Sequence, residues 1–237
     1  MRSMYKVAVF TLLAGLAIAG TGTAGQTNFA GGLHFNAGFP QGDFKDQIDK
    51  NAYGVGGQIF YAPSNSPLAI GLEFGWMNYG HEHRKEPLST TVPDITVDLN
   101  TDNNIVQGFL ILRGQMPRGP IRLYGDGLIG FNYLFTETKI SGTGASDDTF
   151  ASTTNQDDGV FAYGVGGGVM VPVYAKPSGK GRPLEVLLDA GLRYVVGGEA
   201  EYLKKGSITR EDGVVTYDVI KSKTDMLRLH AGVMVRF

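Results

Sequence analysis

The chain contains no cysteine, which removes disulfides, thiolate metal centres and cysteine nucleophiles from consideration. It also lacks an excess of charge: 21 Lys and Arg stand against 23 Asp and Glu, a formal net charge of −2. That balance excludes a nucleic-acid footprint and a polybasic membrane patch. No stretch beyond the N-terminus follows a helical period, and no apolar run reaches the about 20 residues of a spanning helix. What the chain has instead is glycine, 35 of 237 residues, about twice the usual share of roughly 7%. These glycines sit among Val, Leu, Phe and Tyr without a collagen period, which is not the composition of a disordered chain.

Three of them, in "GDGLIG" (125–130), fit the G-x-G-x-x-G template of dinucleotide sites. That template needs a helix after it, so that the helix N-terminus meets the phosphates. Here "FNYLFTET" follows, alternating, aromatic and β-branched, so the motif belongs to a strand.

The N-terminus reads as a secretory signal peptide over 1–25. Arg2 and Lys6 form a basic region, Val7 to Ala19 an apolar core, and small residues follow in "GTGTAGQ". Without a cysteine near the cleavage region, lipoprotein attachment is excluded. The remaining residues, 26–237, form a single exported domain.

Within that domain period-two alternation recurs. "LAIGLEFGWMNY" puts Leu68, Ile70, Leu72, Phe74 and Trp76 on one face, and Ala69, Gly71, Glu73 and Gly75 on the other. The glycine motif continues the pattern: Ile121, Leu123, Ile129, Phe131, Tyr133 and Phe135 oppose Arg122, Tyr124, Asp126, Gly130 and Asn132. Eight such strands are predicted, two of them, 53–62 and 104–116, less cleanly alternating. Short Pro-rich turns at 63–67, 117–120 and 175–183 alternate with long polar loops at about 40–52, 81–103, 137–158 and 197–225. Loops that long are unusual in compact soluble domains. Alternating with tight turns, they fit an all-β chain folded as an eight-stranded antiparallel up-and-down transmembrane β-barrel.

Side-chain size sets which face is inside. The apolar face is bulky, whereas the other is mostly Gly and Ala with isolated charges. An eight-stranded barrel leaves a lumen only wide enough for side chains to fill, so small residues suit the concave side. The charged residues expected in the lumen are Glu73, Arg113, Arg122, Asp126, Glu185, Asp189, Arg193, Arg228 and Arg236. Lysine is missing from these faces; arginine, suited to bidentate pairing with carboxylates in tight spaces, replaces it. Tyr53, Trp76, Tyr133, Phe135 and Tyr194 fall toward strand ends, as interfacial girdles do.

The chain ends in "LRLHAGVMVRF", with Leu229, Ala231, Val233, Val235 and Phe237 at every second place. This resembles the C-terminal assembly signal of bacterial outer-membrane barrels. The whole mature chain resembles the small eight-stranded family that includes OmpA-type and OmpX-type proteins. Where members often carry an aromatic third from the end, this chain has Val235. The resemblance implies location in the bacterial outer membrane, among its lipid and lipopolysaccharide, and recognition by the outer-membrane assembly machinery. It also implies a filled lumen, and loops that meet an external ligand. The even strand count places both termini in the periplasm.

Chemistry beyond this is weakly signalled. Glu185 and Arg236 are expected to pair across neighbouring strands near the terminal end, and Arg193 and Arg228 need a carboxylate between them. A narrow channel for small or hydrophobic solutes, as in OmpW-like barrels, is the first alternative function, and a lipid-modifying outer-membrane enzyme the second. No Ser/His/Asp arrangement emerges on the lipid face, so no catalytic residue, cofactor or metal is assigned. His34 and His230 face the lumen, while His81 and His83 lie in the second loop, in "HEHRKE". Asp147, Asp148, Asp157 and Asp158 lack the spacing of an EF-hand. The fourth loop alternates around Gly206 and an Asp212–Gly213 turn, which predicts a hairpin standing beyond the membrane.

Overall fold

The alternating segments pair into a closed sheet in the computed structural model, which describes residues 28–48, 50–63, 66–87, 96–142, 149–176, 184–204, 206–211 and 214–237. The expected signal peptide, Asp147, Asp148 and the Asp212–Gly213 turn lie outside these residues. Eight strands form the wall: β1 (Phe29–Pro40), β2 (Ala52–Tyr61), β3 (Leu68–Pro87), β4 (Thr96–Gln115), β5 (Arg122–Gly142), β6 (Thr149–Lys176), β7 (Leu184–Gly197) and β12 (Met226–Arg236). Each is antiparallel to its sequence neighbour in the wall, and β12 closes on β1 with Ala30 opposite Arg236 and Pro40 opposite Met226. Closure leaves no sheet edge within the wall, which is what hydrocarbon requires of a strand-built span.

The faces are sorted as alternation predicts. Phe35 points out and is 74% exposed, while Arg193 and Arg228 point in and are 0% exposed. Leu72, Phe74, Leu110, Phe131 and Leu188 all lie on the exposed outer face. An apolar surface that surrounds a closed barrel faces hydrocarbon. Tyr53, Trp76, Tyr133 and Tyr194 share it, and Tyr133 stacks on Phe135 with ring centres 5.8 Å apart.

Two of the expected long loops are corrected. Residues 81–103 and 137–158 are largely strand: β3 and β4 run on as a hairpin to Pro87 and Thr96, and β5 and β6 to Gly142 and Thr149. Both faces of this extension meet water, so the apolar half of the period-two signal disappears there. The β-branched content that favours strands persists, as in Thr136, Thr138, Thr153 and Thr154. The bulge between Asn78 and Gly80 marks where β3 leaves the barrel.

The first loop holds one short helix, α1 (Gly42–Gln47), against the expectation of none; six residues are too few to show a period. The fourth loop forms the expected hairpin from β8 (Glu199–Tyr202), β9 (Ile208–Glu211), β10 (Val214–Tyr217) and β11 (Ile220–Lys223), with β8 on β11 and β9 on β10. Gly206 takes a φ of +86° in its turn. Phe44 of α1 packs edge-on against Tyr79 and Tyr202, at 6.0 and 5.4 Å between ring centres. With Met77, Ile105, Leu134 and Met226 these rings form a buried apolar layer across the long-hairpin end of the lumen. A second apolar layer, including Phe60, Ile111, Met170, Leu187 and Met234, lies toward the end that carries the chain termini.

Candidate functional site

Between the two apolar layers the lumen holds charge. Every one of the nine predicted residues points inward; all are buried except Glu185 and Arg236, which are half-buried near the terminal end. Glu73 on β3 accepts from Nη1 of Arg193 on β7 and from Nη2 of Arg228 on β12. This is the carboxylate that the adjacent arginines require, reached across the lumen rather than along the sheet. Arg193 Nη2 also donates to Asp126 Oδ2 at 2.8 Å, and Arg113 holds Asp126 with a fork at 2.7 and 2.9 Å. The result is one continuous chain, Arg228–Glu73–Arg193–Asp126–Arg113.

Neutral groups complete it. Arg228 Nη1 donates to Gln107 at 3.0 Å, and Gln107 donates in turn to Asn132 at 2.8 Å. The Arg113 guanidinium lies over the Phe60 and Tyr124 rings, 4.2 and 3.8 Å from their centres. Asp189 accepts from Gln58 Nε2 and from the Tyr124 hydroxyl, both at 2.7 Å. Gln58, Gln107 and Tyr124 were not singled out from sequence, and the only signal for them is a polar residue at inward parity.

The Glu185–Arg236 expectation holds for register but not for strength. The two are opposite each other on β7 and β12, yet their closest approach is 4.0 Å. Arg122 takes Glu185 instead, with a fork at 2.9 and 2.5 Å.

Outside the lumen, His81 Nδ1 lies 2.7 Å from Asp102 and His83 Nδ1 lies 2.8 Å from Asn100, both across to β4. The "HEHRKE" histidines are thus partnered along an exposed sheet. Asp157 accepts from Tyr133, and Asp158 from the backbone of Glu201. Leu229, Ala231 and Val233 of the terminal motif point outward, and Phe237 N donates to Phe29 O at 3.0 Å. A groove of about 910 Å³ bounded by Phe35, Ala37, Tyr53, Leu192, Leu229 and Ala231 lies on the outer wall. Those six side chains are outward-facing, so the groove belongs to the hydrocarbon-facing surface rather than to the ion-pair chain.

The closed order of eight up-and-down strands, apolar outside and charged inside, decides the architecture. In fold, the chain is a closed eight-stranded antiparallel up-and-down β-barrel. No family model matches the chain, and no curated protein matches it in sequence. Among solved structures, it is similar to Ail, the attachment invasion locus protein of Yersinia pestis, in complex with the heparin analogue sucrose octasulfate. That match has 16% identity over 91% of this chain and 100% of Ail, with a TM-score of 0.41. Neisserial surface protein A matches at 17% identity over 90% of this chain and 99% of its own, TM-score 0.39. The N-terminal β-barrel domain of Pseudomonas aeruginosa OprF matches at 12% identity over 90% of this chain and 100% of that domain, TM-score 0.32. These likenesses concern fold, and no binding activity passes from them to this chain.

Proposed function

We propose that the chain is an exported outer-membrane barrel whose lumen is a structural plug and whose long hairpins bind an extended segment of an external protein. Residues 1–25 are the leader that directs export, and both termini lie in the periplasm. Lipid and lipopolysaccharide surround the apolar wall, and the outer-membrane assembly machinery reads the motif ending in Phe237. No catalytic role is assigned.

The observation that carries the surface reading is an unpaired strand edge. β3 to β6 stand beyond the barrel as a sheet, and β6 pairs with β7 only from Ala162 onward. From Thr149 to Gln156, β6 is laddered to β5 on one side, and no strand among the described residues is laddered to it on the other; β8 comes alongside only at Asp158, which accepts from Glu201 N. Proteins blunt such edges with lysine, proline or charge. The segment "TFASTTNQ" (149–156) has none of these; its register on β5 shifts past Phe150 and Asn155, which leaves Ala151 to Thr154 as the regular stretch open to an added strand.

Thr153→Lys/Thr154→Lys blunts that edge far from the wall, and stability changes by no more than about 0.5 kcal/mol. Cells displaying the wild-type barrel are expected to retain protein from an immobilised extracellular-matrix preparation, and cells displaying the variant are not. Equal retention by both would remove the edge from the account.

The plug reading rests on the charge chain lying between two apolar layers. Purified wild-type protein in planar bilayers is expected to give no steady unitary openings. Steady openings would return the channel alternative to first place.

A further inference from the structure

One group of lumenal side chains borders the arginine–carboxylate chain without being part of it. His34 and Asn36 on β1 and His230 on β12 are 4%, 3% and 3% exposed. Asn36 is opposite His230 in the β1–β12 ladder, and the two imidazole centres are 5.5 Å apart. Both nitrogens of His34, both polar atoms of the Asn36 amide and Nδ1 of His230 have no hydrogen-bond partner among the described residues. Each buried polar atom left so costs about 1–3 kcal/mol. A cluster of them in one place needs something to bind. Glycine keeps the space open: a Cβ on Gly56 would stand 2.5 Å from His34 Nε2 and 2.9 Å from Asn36 Nδ2.

Hydrogen-bond direction identifies what His230 offers. The single hydroxyl hydrogen of Tyr124 goes to Asp189 Oδ1 at 2.7 Å. The 2.9 Å contact between Tyr124 and His230 Nε2 is therefore the imidazole N–H donating to the phenol oxygen. Nδ1 of the neutral ring is left as a lone pair. Orientation of one ring nitrogen by a hydrogen bond from the other is the arrangement that metal-binding histidines use.

Charge beside the cluster is mixed: Arg193, Arg228 and Glu73 act on both imidazoles, and Asp189 on His34. Glu73 and Asp126 are each held by two arginines. Asp189 is held by Gln58 and Tyr124, with no arginine partner among the described residues, and lies 3.9 Å from His230 Nε2. The acceptors left for a cation are the Nδ1 lone pair of His230, one lone pair of His34 and the amide oxygen of Asn36.

We propose that His34, Asn36 and His230 bind one divalent first-row transition-metal ion of the zinc class, through a His34 nitrogen, Asn36 Oδ1 and His230 Nδ1. Two imidazoles and one amide oxygen suit this class better than the all-oxygen shells of calcium or magnesium. No three His, Cys, Asp or Glu side chains among the described residues gather to hold a metal, so the amide completes the set. Because apolar layers close both ends of the lumen, the ion enters as the barrel folds.

The test uses the full chain carrying His81→Ala/His83→Ala, which removes the exposed imidazoles. After refolding from urea into detergent micelles with zinc chloride, then desalting through a chelator, it is expected to retain about one zinc per barrel. Cobalt in place of zinc gives the visible absorption band of a nitrogen-ligated ion. His34→Ala in that background loses both signals while keeping the heat-modifiable gel mobility of a folded barrel. Tyr124→Phe keeps the ring over Arg113 and weakens retention about ten- to a hundred-fold, as loss of an orienting partner does. Should His34→Ala fail to fold, Asn36→Ala and the parent protein decide. A folded parent that retains no zinc overturns the proposal, as does retention that the lumenal substitutions leave unchanged.

Discussion

Replacing Glu73 with alanine is expected to cost the barrel about 3–5 kcal/mol, the range for removing one partner of a buried ion pair. Two arginines depend on this one carboxylate, and both are fully buried. Without it Arg193 keeps Asp126, but Arg228 keeps Gln107 and the Phe109 ring, neither of them an anion, and faces a like charge. Unfolding in urea, in phospholipid vesicles, reads the loss through Trp76, the single tryptophan, which is 44% exposed on the outer wall. Glu185→Ala is the control. Glu185 is only half-buried at the terminal end and serves the buried Arg122, which keeps the Gly119 carbonyl, so its removal is expected to cost less, about 1–2 kcal/mol. Adding Arg228→Met to Glu73→Ala should recover part of the loss, because an apolar side chain needs no carboxylate. Equal and small effects of Glu73→Ala and Glu185→Ala would show that the buried chain does not hold the wall together.

Parity along each strand was legible because one face meets hydrocarbon and the other a crowded lumen. Even positions of β5 and odd positions of β7 were thereby assigned to the lumen, and all nine charged residues follow the parity of their own strands. Partnership was not legible. Arginine reaches across an eight-stranded lumen as easily as along the sheet, so Arg122 finds Glu185 on β7 while Arg236, its ladder neighbour, stays at 4.0 Å. The outer halves of β3 to β6 were read as loops because water on both sides erases the apolar stripe, though not the backbone pairing. The lumenal histidines carried no motif at all. Only the placement of Tyr124, Asp189 and Gly56 around them gives them a chemistry.

The glycines of "GDGLIG" supply the second large expected effect, and they separate one face of the wall from the other. Gly125 and Gly127 face outward, and Gly130 inward, on the same strand. A Cβ on Gly130 would fall 1.9 Å from the backbone oxygen of Gly108 on β4, where nothing can yield without breaking the ladder. A Cβ on Gly125 would meet only the Gly166 oxygen, at 3.8 Å. Gly130→Val is therefore expected to cost at least about 3 kcal/mol or to block folding. Gly125→Val should change stability by less than about 1 kcal/mol, in the favourable direction, since valine suits a strand and adds apolar surface against lipid. Refolding yield in micelles, scored by heat-modifiable gel mobility, distinguishes the two. If Gly125→Val were the damaging change and Gly130→Val the tolerated one, the convex side of the sheet would not be the lipid side. The arginine face would then be the wet exterior, and neither a membrane barrel nor a plugged lumen would survive.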